Sequence, residues 1–557
     1  MSTLIDSRTG VGSTTPEILE PPAERPKHVR FATIPPVRMP GAGRSLPERA
    51  PRLRDRPAPP RSRAIGGRDR MRRVIALVAL AAVLAAGAAM ALSAAGAPVS
   101  TAAGAAGGLT VPVAITVTVF LLAVWAWTAT RLDDTLVALL AALALIATGV
   151  LPVDTFFASL GDPTIWLLIG AFVIAAGVTS SGLAMRGAAH LLRRARSPRA
   201  LFHLTTVALT LTAFAVPATS GRAALAIPVF TAVAAALAGR EKLVKALALL
   251  FPTVILLSAA ASLLGAGAHI ITNQLLVAAG GEGFTFLSWL WFGLPVAVIS
   301  SHLACEIILW RFTDRPERAG RLRIGLADFE RTAPMPVTGP LRADEWRATA
   351  LLAGVIVLWS TEPLHQLSPA LVALLGAVAA VSPVIGCTRL PAAVAKVPWG
   401  LLLFLAATLA LASALTETGA AVWLSGSALA PLAGLGAGGG IAFILVVIGL
   451  SIAAHLLIPS RSARSAAVIP VVIALAPGLG IEPMAAAFAS TVAAGFCHTL
   501  PSSAKPVAMF ADPAAVPGGF APRDLRRLSV VLAPMMFALV AVCAFWIWPA
   551  MGMPLMR

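Results

Sequence analysis

The sequence predicts an all-α polytopic membrane protein, an inverted repeat of about 11 transmembrane helices with two re-entrant hairpins. Three observations carry this. Of the 557 residues 58% are hydrophobic and 12% are charged, about half the charged share of an average soluble domain. Continuous apolar runs of roughly 20 residues, enough to span a bilayer, recur along the chain without the alternation of a β-barrel. Finally, ATSGRAALAIP at 218–228 and SRSARSAAVIP at 460–470 look alike. Each opens with small hydroxyl-bearing residues and sets an arginine, Arg222 or Arg464, six positions before a proline. An arginine in an apolar setting is costly unless it faces protein, water or an anion, so both are functional candidates.

The formal charge of +18 does not indicate nucleic-acid binding. Much of the excess lies in residues 1–73 and in short loops, as the positive-inside rule produces, and no aromatic interleaving or binding module accompanies it. Cys305, Cys387, Cys497 and Cys543 have neither disulfide nor zinc spacing. No metal or cofactor is expected.

Residues 1–73, rich in Pro, Arg and Gly, read as a disordered basic tail in the cytoplasm. A first transmembrane half follows over 74–310, with spans at 74–95, 111–130, 135–150 and 164–182. The arginine-bearing stretch 183–199 reads as a surface helix. Residues 201–238 are apolar except at ATSGR and have basic flanks on both sides, so they enter and leave on one side as a hairpin. The run 246–279 is interrupted by GAGAHIITN at 265–273, the mark of a helix broken at mid-membrane. A span at 286–310 closes this half, and the basic linker 311–347 is cytoplasmic.

The second half, 348–550, repeats the plan upside down. Spans fall at 348–360, 367–385 and 399–415, followed by a surface stretch at 416–440 with no basic residue. The second hairpin, 441–476, is polar at PSRSARS and opens outward. The run 483–509 is broken at CHTLPSSAKP, 497–506, and 528–548 is the last span. The glycine run 434–440 lacks the strand and lysine of a phosphate loop and reads as a joint. Inverted halves with discontinuous helices meeting at the midplane are the layout of a secondary transporter.

GDPTIW at 161–166 running to TSSGL at 179–183, its partner VPW at 397–399 running to ETG at 417–419, and two hairpin tips ending in Ile-Pro-Val resemble the divalent anion:sodium symporter family. The likeness spans about residues 74–550. It implies a dimeric elevator-type carrier of dicarboxylates, citrate or sulfate. The family's Ser-Asn-Thr tips are here Ala218-Thr219-Ser220 and Ser460-Arg461-Ser462. Its Thr-Pro-Pro-Asn breaks are here Thr272-Asn273, with the only asparagine of the chain, and Ala504-Lys505-Pro506-Val507. Neither tip has the asparagine, so neither sodium coupling nor the family's usual substrate geometry carries over with the resemblance.

Guanidinium matches a carboxylate or sulfate with a planar donor fork and does not lose its charge. Arg222 and Arg464 are therefore the expected substrate cations, standing in for coupling ions; the structural alternative is that each caps hairpin carbonyls. Arg461 has no counterpart in the first half and stays outside the expected pair. The hydroxyls of Thr219, Ser220, Ser460, Ser462 and Ser465 are candidate oxyanion donors beside helix N-termini, or local backbone partners. His269 and His498 occupy corresponding points of the two breaks and join the set with Asn273 and Lys505. His455 is a weaker candidate. Glu306 is a candidate proton carrier or the partner of a loop arginine.

The expected protein is thus a secondary active carrier of a small anion, a di- or tricarboxylate or sulfate-like ion, in the cytoplasmic membrane and sodium-independent. It is expected to be a homodimer, with no nucleic-acid partner. Alternatives are an arsenite- or proton-type permease of the same superfamily, an anion sensor, or a membrane-embedded enzyme. No acid–base or nucleophile constellation supports the enzyme.

Overall fold

The computed structural model describes residues 66–95, 108–331, 333, 335–429 and 437–557. The tail expected over 1–73 lies outside the described residues up to position 65. From Gly66 the chain is already helical and runs to Ala95, so the first helix takes in the last residues assigned to that tail. Within the glycine run 434–440, residues 434–436 lie outside the described residues, and 437–440 begin a helix rather than a joint.

Helices dominate, and among the described residues the single β-contact is an isolated bridge between Ile481 and Met556. Eight of the described helices are long and apolar enough to cross a membrane, and two of these, Thr219–Ala236 and Gly438–Leu456, belong to the hairpins. Three of the expected spans are short helices. Asp134–Ala147, Pro369–Val381 and Pro483–Ala493 have 14, 13 and 11 residues, about 16–21 Å at 1.5 Å per residue, short of a bilayer core of about 30 Å.

Both hairpins form. Pro198–Ala215 and Thr219–Ala236 are the arms of the first, joined at 216–218. Ala437–Ala453 and Arg461–Leu475 are the arms of the second, joined through a 3₁₀ turn at Ala454–Leu456. Both broken helices form as well. The first consists of Glu241–Leu257, two 3₁₀ turns at Ser258–Ala261 and Leu263–Gly265, then Gly267–Ala278. In the second, Pro483–Ala493 and Lys505–Ala511 flank a break holding the turn Pro501–Ser503. The breaks have local causes. Pro501 and Pro506 lack N–H groups, and Gly265 approaches a carbonyl too closely for any side chain.

The two halves also pack reciprocally. Pro163–Ser181 lies along Pro369–Val381, and its counterpart Trp399–Glu417 lies along Asp134–Ala147. Arg461–Leu475 of the second hairpin packs on Gly267–Ala278, and Thr219–Ala236 of the first packs on Lys505–Ala511. Each hairpin therefore rests on the second arm of the other half's broken helix. Small residues permit the close crossings, as is common between helices in lipid. A methyl at Gly170 would stand 2.6 Å from the Ala373 main chain.

The same constraint fixes the floor of the first break. Trp289 Nε1 donates to the Ala260 carbonyl at 3.0 Å, and a methyl at Gly293 would stand 2.1 Å from that oxygen. Gly293→Ala is expected to lower stability by about 1–3 kcal/mol through overpacking. Gly187→Ala, with nothing within 4 Å of the added methyl, should be neutral or slightly stabilising. Thermal midpoints of the detergent-purified variants check both.

Candidate anion site

Arg222 is in the first turn of the second arm of its hairpin and is fully buried. Its guanidinium is occupied by the protein. Nε donates to Thr212 Oγ1 at 2.9 Å and Nη1 to the Ile255 carbonyl at 2.9 Å. Nη2 donates to the Leu209 carbonyl and to Ser258 Oγ, both at 2.7 Å. Ile255 lies in the last turn before the first break, where helical carbonyls lose their intrahelical partners. The capping alternative describes this geometry, and Arg222 joins the hairpin to the broken helix.

Arg464 presents the opposite case. It is 1% exposed, yet Nε, Nη1 and Nη2 have no hydrogen-bond partner. Arg461, one turn earlier at the first position of the same helix, has Nε and Nη1 buried and equally unpartnered. The Ser465 hydroxyl, in the same turn, is buried without a partner too. Ser460 caps the helix, accepting from the Ala463 N–H at 3.2 Å. Two guanidinium groups and a hydroxyl thus crowd the positive end of a 15-residue helix, where an anion is favoured.

Other elements close on this tip. A methyl at Gly495, in the second break, would lie 3.7 Å from Arg461 Nη2 and 3.9 Å from the Leu256 carbonyl of the first broken helix. A methyl at Gly267, where that helix resumes, would lie 3.2 Å from Ser462 Oγ. The charge of Arg461 acts on Arg222, Arg464, His269 and His498. The second hairpin tip therefore sits against both breaks.

The two histidines are not equivalent. His269 Nδ1 faces the Ser262 carbonyl at 3.0 Å, and its ring stacks on Trp289 with centroids 4.9 Å apart. The carbonyl assigns the proton to Nδ1, so Nε2, buried and unpartnered, is an acceptor. Neutral His269 has no free donor for an anion. In His498, Nδ1 accepts from the Cys497 N–H at 3.2 Å, which puts the proton on Nε2. That atom is buried without a hydrogen-bond partner, so His498 is the histidine able to donate.

The remaining candidates disperse. Asn273 holds a turn: its Nδ2 donates to the Phe284 carbonyl at 3.1 Å and its Oδ1 accepts from the Phe284 N–H. Lys505 is exposed, with Asp134 within reach of its charge. Thr219 is the half-buried first residue of its helix. Ser220 lines a cleft of about 490 Å³ with Thr179, Met335 and Lys396. His455 is satisfied by the Ile452 carbonyl and by Thr499 Oγ1 at 2.9 Å. Glu306 pairs with Arg199 Nε at 2.7 Å and His203 Nε2 at 2.6 Å. Thr272 and Thr491, hydroxyl to hydroxyl at 2.6 Å, pin the broken helices together.

Of the expected pair, then, only Arg464 is free of the protein, and its companion is Arg461. The sequence signal for Arg461 was its spacing, one helical turn from Arg464 and next to the capping serine.

Comparison with known proteins agrees with the architecture. A Cupriavidus necator protein described as a membrane protein is 26% identical over 405 residues, covering 70% of this chain and 76% of its own. An uncharacterized transporter of Haemophilus influenzae is 25% identical over 405 residues, covering 69% and 81%. Among solved structures, the Alcanivorax borkumensis YdaH transporter superposes with a TM-score of 0.51 at 19% identity, over 80% of this chain and 100% of that one, a likeness of fold. The CitMHS family, described as citrate transporter, matches residues 120–493. With that match covering well over half of its length, the chain belongs to the citrate transporter family CitMHS.

Proposed function

We propose that this protein is a secondary active carrier of a small, multiply charged anion, a di- or tricarboxylate or a sulfate-like ion, seated on Arg464 and Arg461. One observation carries the reading: Arg464 is buried to 1% exposure with all three guanidinium nitrogens unpartnered. A buried cation with no acceptors is strongly destabilising, whereas a carboxylate or sulfate satisfies its fork two bonds at a time. Ser465 Oγ and His498 Nε2 add neutral donors, and the helix N-terminus adds its dipole.

The carrier is sodium-independent in this reading, because two permanent positive charges already occupy the place of coupling ions. Reciprocal packing of the halves supports an inverted repeat with alternating access to one site. Placement among the divalent anion:sodium symporters, elevator motion, a homodimer, and a cytoplasmic-membrane location with the N-terminus and its basic tail in the cytoplasm belong to the same reading.

Purified protein in liposomes is expected to take up at least one of labelled succinate, citrate and sulfate at the same rate with and without sodium. Strict sodium dependence would remove the arginine-for-sodium idea, and failure with all three anions would remove the carrier reading. Arg464→Leu should cut uptake at least about tenfold, the loss of charge-assisted hydrogen bonds of about 1.5–3 kcal/mol. In anion-free detergent the same variant should unfold at an equal or higher temperature, since an unpaired buried charge is gone.

Arg222→Ala should behave oppositely. It removes four hydrogen bonds from a guanidinium and leaves the Ile255 carbonyl without that donor, costing about 1–3 kcal/mol of stability. A lowered thermal midpoint with or without anion checks it. If instead Arg464→Leu destabilised like Arg222→Ala, its side chain would be structural.

A further inference from the structure

The arginine-bearing stretch 183–199 contains the helix Leu183–Leu192, 10 residues long. Its arginines divide into two kinds. Arg186 is buried and anchors the helix, donating to Glu345 Oε1 at 2.8 Å and to the carbonyls of Pro336, Thr338 and Gly339. Past the helix end, Arg193, Arg194 and Arg196 are exposed, and none of the ion pairs found among the described residues involves them.

Beside these free arginines lies a cleft of about 510 Å³, within the roughly 300–1,000 Å³ of small-molecule sites. Its wall draws on five elements: Leu191 of the short helix, Leu209 and Leu225 of the two arms of the first hairpin, Phe251 of the first broken helix, and Leu352 of Ala343–Ser360. Apart from His190, Arg194, Thr205 and Thr212, every lining residue is apolar or glycine. His190 turns Nδ1 to the Arg186 carbonyl at 3.1 Å, so the permanent charge at the cleft is that of Arg194. Thr205 is 1% exposed, and its hydroxyl has no partner.

The geometry points to a lipid site: the cleft takes one acyl chain of an anionic phospholipid, and the phosphate pairs with Arg194. Each part of the cleft selects one part of that ligand. An apolar wall gives water no partners, whereas every methylene of a chain gains by burial there. A free guanidinium matches a phosphate, and basic groups at the rim of a cleft between membrane helices favour anionic headgroups. A small soluble anion would leave the apolar wall unused, and an uncharged lipid would leave Arg194 unpaired. An ester carbonyl of the bound lipid gives the Thr205 hydroxyl an acceptor.

The position of the cleft gives the lipid a structural consequence. Leu209 and Thr212, on its wall, supply acceptors to Arg222 through the Leu209 carbonyl and Thr212 Oγ1. A chain in the cleft therefore packs against the joint between the first hairpin and the first broken helix, and its binding stabilises that joint. None of this depends on the anion-carrier reading, and the test does not use transport.

The full chain is stripped of lipid in detergent and titrated with phosphatidylglycerol or with phosphatidylcholine of identical acyl chains. Native mass spectrometry counts bound lipids, and the thermal midpoint is followed in parallel. One phosphatidylglycerol is expected to bind at least about fivefold tighter than phosphatidylcholine, the effect of one basic residue near a headgroup, and to raise the midpoint. Arg194→Gln should bring the two affinities together, whereas Arg323→Gln, at an exposed arginine outside the cleft, should keep the preference. Ala188→Phe and, separately, Ala208→Phe place a ring in the cleft, and each should abolish the tight site for both lipids; two variants are used so that one that folds poorly does not decide the result. Equal affinities in the unmodified protein, or the same loss of preference in Arg323→Gln, would overturn the role of Arg194. Tight binding retained in a folded phenylalanine variant would overturn the cleft. Equal stabilisation by glycerophosphoglycerol, the headgroup without its chains, would show an anion site and overturn the lipid.

Discussion

A guanidinium group removed from water must be given acceptors, and this chain meets that demand in two ways. In the first half the acceptors are built in: Arg222 takes the carbonyls of Leu209 and Ile255 and the hydroxyls of Thr212 and Ser258. In the second half they are withheld, and Arg464 lies buried among apolar helices with none. The first arrangement ties the hairpin to the broken helix, and the second leaves a buried guanidinium without a protein acceptor.

One built-in acceptor, the Ile255 carbonyl, exists because a helix stops inside the molecule. An unbroken helix engages its carbonyls internally, whereas the last turn before a break leaves them free. Gly265, which admits no side chain beside the Ala259 carbonyl, lets the chain turn through two 3₁₀ segments and resume at Gly267. Trp289 then takes up the Ala260 carbonyl from the neighbouring helix. Breaking a helix in a membrane protein thus serves two purposes here: it frees polar groups to hold Arg222 and it opens room for the second hairpin tip.

Much of this was legible in the sequence. Polar interruptions inside apolar runs locate both hairpins and both breaks, because each needs residues that stop a helix, and glycine, proline and hydroxyl side chains are visible one at a time. What the residues did not reveal was which arginine is satisfied. Arg222 and Arg464 hold equivalent places, and the difference lies in carbonyls 33 and 13 residues away from Arg222. Histidine roles were hidden for the same reason, since the Ser262 carbonyl and the Cys497 N–H decide which ring nitrogen keeps its proton. Asn273 is prominent as the chain's only asparagine, yet its partner is a main-chain turn eleven residues on. Helix ends were hidden because an apolar run does not say where a helix stops: Asp134–Ala147 has only 14 residues.

The asymmetry between halves follows from giving a repeated segment two duties. Two matching sites related by the repeat would each need acceptors, and two free guanidinium clusters would double the unbalanced charge at the centre. Satisfying Arg222 internally removes one cluster and leaves a rigid wall opposite the other. The second hairpin then carries an additional cation, Arg461, where the first has Thr219, counting back from the two prolines. In the first half the arginine is tied into the frame, whereas the second hairpin tip carries two guanidinium groups without protein acceptors. Two guanidinium groups at one helix N-terminus favour a negatively charged occupant.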